Sequence, residues 1–252
     1  MISIKSDYEI SLMQKAGNIV YKTHQYLKPF LKPGVTTKEI DKLAYDYIIS
    51  QGATPSFLNY DGFPGTICIS INDEVVHGIP GNRKIKDGDI VKLDIGACWK
   101  GYHGDSAWSY AVGNVSNDIK YLMEHTEKAL FKGLEQVKPG NHIGDIGAAI
   151  EEYATEHNLG IVRELVGHGI GNNVHEKPDV PNYGKKGTGP VLKKGMCIAV
   201  EPMLNLGTQD IYILDDDWTI ITQDGLPSAH FEHSVVVTDD GYRILTGDDN
   251  FE

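Results

Sequence analysis

Cysteine is scarce, with only Cys68, Cys98 and Cys197 in a chain of 252 residues. The number is odd and no two are close in sequence, which argues against a disulfide framework and suits a reducing compartment. There is no Cys-x-x-Cys, so zinc fingers are excluded. Positive charge is also in deficit: 23 lysines and arginines face 35 aspartates and glutamates, a formal net charge of −12. An acidic chain gains nothing from a phosphate backbone, so nucleic-acid binding is not expected. No apolar run approaches the ~20 residues that cross a bilayer. The opening MISIKSDYEI has neither the apolar region nor the cleavage site of a secretory signal. Low-complexity segments and long Ser/Gly/Pro linkers are missing too. A cytoplasmic protein without membrane or nucleic-acid partners is expected. With 40% hydrophobic residues the chain can bury a full core.

What is present is written twice. LKPGVTTKEIDKLAYDYI from Leu31 resembles VKPGNHIGDIGAAIEEYA from Val137, with Ile40/Ile146 and Tyr47/Tyr153 at one offset. HGIP at His77 parallels HEKP at His175, and DGDIVKLD ending at Asp94 parallels KGMCIAVE ending at Glu201. Three matches in the same order point to a duplicated α+β unit, halves of about 1–110 and 111–252 forming one domain over 1–252, with a site between them. Apolar spacings of three and four predict helices over about 7–28 and 117–136. The capping box Thr36-x-x-Glu39 starts a helix ending near Gly52, and another covers 142–157. Strands are predicted over 66–71, 90–95, 107–112, 197–200, 218–222 and 230–238.

Several carboxylates sit where apolar side chains belong. Asp94 closes IVKL, and its plain reading is a strand-end turn residue. Glu201, between CIAV and PML, is harder to explain in that way. Glu232 in AHFEHSVVV and Asp105 in YHGDSAWSY interrupt apolar or aromatic strands. Burying such charges costs several kcal/mol unless they are paired, and the only basic residue in these strand cores is Lys92. Carboxylates brought together repel and take up protons, unless a dication reverses the balance. Four carboxylates and a histidine exceed the three protein ligands of a catalytic zinc. They suit two divalent ions about 3.5–4 Å apart, and hence metal-assisted hydrolysis. Oxygen-rich ligation favours Mn, Fe, Co or Zn.

DIGACWKGYHGD, GHGIGNNVHEKP, AVEPM and FEHSVVVTDDG, in that order, together with ISINDEVVHGIP, resemble the metal-dependent pita-bread peptidases, and within them the type I methionine aminopeptidases. The resemblance spans essentially the whole chain. It implies an α+β pita-bread fold, two pseudo-symmetric halves with a curved antiparallel sheet covered by helices. It implies two metal ions held by Asp94, Asp105, His168, Glu201 and Glu232, with Asp105 and Glu232 bridging. Asp94 completes one site, and His168 with Glu201 the other. Glu201 is then the candidate general base, while His77 and His175 are non-ligand histidines that contact the substrate. A methionine pocket is implied around Tyr60, Phe63, Cys68, His77 and Trp218. The implied activity is removal of the initiator methionine, preferably before a small second residue. The implied substrate is a peptide or nascent chain with a free N-terminal methionine, met by a monomer with transient ribosome association.

Three positions depart from many relatives: Asp61 stands in place of a histidine, Val174 in place of an aromatic, and Phe57 also differs. These touch pocket shape and leave the metal ligands intact. Taken alone, His77 is a turn histidine before Gly-Ile-Pro, and Cys68 is a small buried hydrophobe. His24, His103, His125, His142 and His157 read as surface or helix residues, and His233 as facing away from Glu232. The glycines at 167, 169 and 171 are expected to bring backbone close to the metals. Two rivals remain. Xaa-Pro peptidases such as prolidase and aminopeptidase P carry an extra N-terminal domain and a histidine where this chain has Glu164. A non-catalytic binding module of the same fold would have lost ligands.

Overall fold

The computed structural model describes residues 2–248. Four helices organise it: α1 (Asp7–Leu27), α2 (Thr37–Ser50), α3 (Asn117–Leu134) and α4 (Ile143–Glu156). Each expected helix is present within two residues of its predicted ends. The reason is local. Ser6 and Thr36 close capping boxes with Glu9 and Glu39, which satisfies amide donors that the first helical turn leaves free. α1 stops at Leu27, and Pro29 turns the next three residues into a 3-10 turn.

Every strand pairing among the described residues is antiparallel. The sheet is divided into four ladders. In the first half, the hairpin Ile90–Trp99 with Tyr102–Ala111 carries Cys68–Ile71 and Thr54–Pro55 beside it. In the second, Cys197–Val200 lies between His233–Val237 and Gly167–Gly169, flanked by Tyr242–Ile244 and Glu176–Val180. Two three-stranded ladders complete the frame; one joins Glu74–Val76 to Ile220–Thr222. The core is likewise in two parts. Ile40, Ala44 and Ile48 of α2 pack with Leu93, Ile95 and Ala97. Ile146, Ile150 and Ala154 of α4 pack with Ile198, Val200 and Val235.

Strand ends differ from expectation in ways that matter. The hairpin strands are longer, running to Trp99 and starting at Tyr102, because Lys100 and Gly101 both take positive φ (50° and 81°) and make a tight connection. The strands expected from Thr66 and Trp218 begin at Cys68 and Ile220. The continuous strand expected over 230–238 is broken: Ser228–His230 pairs in one ladder, His233–Val237 in another, and Phe231 and Glu232 lie in the step.

Candidate metal centre

The hairpin explains the Asp-x10-Asp spacing. Gly96 is paired with Asp105 and Asp94 with Ala107. Residues two apart share a face, as do directly paired residues, so Asp94 and Asp105 project together. Cys68 is paired with Asp94 on the other side and joins the same face. Glu201 follows the strand Cys197–Val200, and His168 is central in Gly167–Gly169. Glu232 is delivered by the step between ladders. Its N–H donates to the Ala107 carbonyl (2.8 Å) and its own carbonyl accepts from Ser106 Oγ (2.8 Å). Ser234 Oγ also donates to the Asp105 carbonyl (2.7 Å). The first half's hairpin is therefore stitched directly to the second half's strand.

All eleven residues singled out from the sequence line one cleft of about 220 Å³: Asp94, Asp105, His168, Glu201 and Glu232 with Tyr60, Phe63, Cys68, His77, His175 and Trp218. Phe57 and Asp61 complete its wall. His168 Nε2 stands 3.7 Å from Asp105 Oδ2 and 3.5 Å from Glu201 Oε1. Its Nδ1 hydrogen-bonds the Gly169 carbonyl (2.9 Å); that bond puts the proton on Nδ1 and turns a bare Nε2 toward the carboxylates. Beside the carboxylates, Phe57, Phe63, Cys68 and Val174 form a buried apolar cluster against Tyr60, Ile79 and Trp218. Of the three departures, Phe57 and Asp61 therefore line the cleft, and Val174 packs in the apolar cluster beside it. The Trp218 ring meets Phe63 edge-on at 5.1 Å and His77 at 6.4 Å. At the mouth, Tyr60 Oη and His175 Nδ1 are 2.8 Å apart.

Burial dominates the electrostatics. It pushes the Asp94 carboxyl up to about 7 and Glu201 up to about 8. Asp105 and Glu232 rise well above the carboxylate range, through burial first and then through the neighbouring carboxylates. Burial holds His168 down near 3 and His77 near 4, so both are neutral. Lys92 does not relieve the negative charge. Its Nζ donates to the backbone carbonyls of Asn72 (2.7 Å) and Ser228 (3.0 Å).

One oxygen each of Asp94, Asp105 and Glu232 is buried without a hydrogen-bond partner. Buried carboxylate oxygens left so are rare and costly. Ligand atoms of Asp105, His168 and Glu232 lie within 4.8 Å of one another, as do those of Glu201, His230 and Glu232. Neutral imidazole with clustered, unpaired carboxylates is the donor set of divalent transition ions, so these residues fit bound metal.

Sequence reasoning missed His230. It is 1% exposed, and its Nε2 lies 3.5 Å from Glu201 Oε2. Period-two alternation in HFEH would have put it on the face of Glu232. His24, read as a surface or helix residue, does lie in α1 and is buried there. It is 2% exposed, with Nε2 bonded to the Ser106 carbonyl and Nδ1 to Tyr110 Oη. His233 does face away, bonded to Thr246 Oγ1. The glycines act differently from expectation. A Cβ on Gly167 would sit 2.3 Å from the Ala199 carbonyl oxygen, one on Gly169 2.4 Å from that of Lys177, and one on Gly171 against the Lys5 side chain. They allow neighbouring chain to pack closely rather than backbone to approach an ion.

A cleft between two halves, walled by carboxylates and imidazoles, is the architecture of a metallohydrolase, and the chain belongs to metallopeptidase family M24, whose model matches residues 11–239. It is 51% identical over 246 residues to methionine aminopeptidase 1 of Bacillus subtilis (strain 168), covering 98% of this chain and 99% of that one. The crystal structure of methionine aminopeptidase from Rickettsia prowazekii superposes with a TM-score of 0.97 at 44% identity, covering 98% of this chain and all of that one. The Xaa-Pro dipeptidase from Bacillus anthracis shares the pita-bread fold at a TM-score of 0.78 and 27% identity, but this chain covers 63% of it. No helix among the described residues is long and apolar enough to cross a membrane.

Proposed function

We propose that the protein is a dinuclear-metal aminopeptidase that removes the N-terminal (initiator) methionine from peptides and nascent chains, preferably when the second residue is small. One observation carries the reading: three buried, unpartnered carboxylate oxygens lie beside an apolar, aromatic-walled pocket with two imidazoles on its rim. Asp94, Asp105 and Glu232 would hold one ion, and Asp105, His168, Glu201 and Glu232 the other; Co, Mn, Fe and Zn would all suit such ligands. When bound, the ions supply Lewis acidity and lower the pKa of the attacking water.

The chain's own groups do the rest. Phe63, Cys68, Tyr60, Trp218 and His77 receive the thioether side chain and fix the scissile bond over the carboxylates, where orientation is worth several kcal/mol of barrier. Glu201 accepts the proton of the attacking water and returns it to the departing amine. The Tyr60 hydroxyl donates to His175 Nδ1, which leaves the proton on Nε2 for the carbonyl oxygen as negative charge grows there. His77 holds the peptide backbone. The same reading takes the protein as a monomer that meets nascent chains transiently at the ribosome.

The two walls are read as a duplicated unit. Gly34 N–H donates to the Ile85 carbonyl and Gly140 N–H to that of Leu192; Ile85 N–H donates to the Val35 carbonyl and Leu192 N–H to that of Asn141. These repeated bonds support the duplication. Hydrolysis of Met-Ala-Ser against an Xaa-Pro dipeptide tests the activity. Turnover of the first, abolished in Asp94→Asn together with loss of an ion by metal analysis, is expected. Turnover of the Xaa-Pro substrate alone favours prolidase chemistry, and an empty site after reconstitution favours a binding module.

A further inference from the structure

His230 ends the strand Ser228–His230 and is fixed from the opposite half: its N–H donates to Ser109 Oγ (3.0 Å), and Ser109 Oγ donates to its carbonyl (2.9 Å). Its Nε2 is the one buried imidazole nitrogen among the described residues that lacks any hydrogen-bond partner. Carboxylate oxygens of Glu201 and Glu232 lie within 4.8 Å of the ring's ligand atom, and the Asp94 carboxylate also acts on the ring. Once those carboxylates are ionised, as metal binding requires, a lone pair turned on them would be repelled, so the proton of the neutral ring belongs on Nε2. The nearest acceptor is Glu201 Oε2 at 3.5 Å. The other oxygen of the same carboxylate, Oε1, lies 3.5 Å from His168 Nε2. One glutamate is therefore flanked by two imidazoles, one on each oxygen.

We propose that His230 is a positioning residue for Glu201: its Nε2–H faces Oε2 at 3.5 Å, unbonded in this structure, and closes on that oxygen once Glu201 is ionised, so that Oε1 stays turned toward His168 and the ion site. This rests on the five-ligand reading given above. Ions held by those five residues would draw on the unpartnered carboxylate oxygens, whereas His230 is not among the five and its Nε2 is buried without a partner. A carboxylate tethered through one oxygen cannot rotate out of reach, which matters doubly for a group that both binds an ion and carries the proton. His230 itself touches neither substrate nor ion.

Mn(II) titrated calorimetrically into chelator-stripped protein, with steady-state kinetics on Met-Ala-Ser, tests this. His230→Leu is expected to bind as many ions as the wild type. Its affinity for the weaker-held ion and its kcat should fall about 10- to 100-fold, as other losses of groups behind a metal ligand do, while KM stays nearly unchanged. His230→Gln, which keeps a donor of similar reach, is expected to recover most of both. One ion fewer in the leucine variant would make His230 a ligand and overturn the proposal. Wild-type affinity and kcat in that variant, or a glutamine variant as impaired as leucine, would overturn it too. Should His230→Leu not fold, His230→Asn, whose donor is too short to span the gap, takes its place. A wild-type protein that binds no Mn(II) overturns the five-ligand reading itself, and is seen before any variant is made.

Discussion

Asp94 and Lys92 stand two residues apart on one strand, and their fates diverge. Lys92 spends its protons on two backbone carbonyls, 2.7 and 3.0 Å away, so it cannot neutralise the cluster that Asp94 joins. His175 has a comparable division of labour. It is bonded to Tyr60 on one nitrogen, and in the function proposed above the other is kept for substrate. His175→Ala is expected to lower kcat by about 10²- to 10³-fold, the usual cost of one donor to a developing oxyanion. Both ions should be retained on titration; their release would make it a ligand. Glu201, Glu232 and Asp105 were conspicuous in the sequence because each carboxylate breaks into an apolar or aromatic run, whereas Asp94 taken alone read as a strand-end turn residue. His230 was not conspicuous, because a lone histidine in a strand is usually a core residue. The partners of His24 were not legible for a related reason: Ser106 and Tyr110 are about eighty residues away.

Helices were legible to within two residues, since caps and proline act on their own neighbours. Strand ends were less so. The break at Phe231–Glu232 exists because two ladders with different partners meet there, and no local propensity reports a change of partner. The step is what turns Glu232 inward. Gly167 shows the same non-local dependence: a Cβ there would meet backbone, at 2.3 Å from the Ala199 oxygen. Gly167→Ala is expected to destabilise by about 1–3 kcal/mol, the usual range for overpacking. Denaturant midpoints measured with the metal removed would separate this strand-packing cost from any effect on ion binding. An unchanged midpoint would mean that the two strands can part without penalty.

For the whole molecule, the carboxylates converge at the seam where the first half's hairpin meets the second half's strand. Metal and fold are therefore coupled. A carboxylate whose folded pKa is raised stabilises the folded state fully at low pH and loses that contribution as pH rises toward the raised value. Glu232 lies well above its ordinary range. In chelator, Glu232→Gln should therefore gain in melting temperature relative to wild type as pH rises from 6.5 to 8.5. Histidine and lysine effects are shared by both proteins and cancel in the difference. Saturating Mn(II) at pH 8 should reverse the order, because a ligand bound to the native state stabilises it and the variant has lost a shared ligand. A difference independent of pH would mean that Glu232 is ionised in the metal-free fold.

By itself the sequence determined the helices and their ends and marked the candidate ligands, because caps and side-chain type are properties of neighbouring residues. Tertiary structure decided which carboxylates meet, which histidines are buried, and which glycines are obligatory. Those depend on the company that distant segments bring, and burial, the force behind every shifted pKa in the cleft, is a property of the assembled fold.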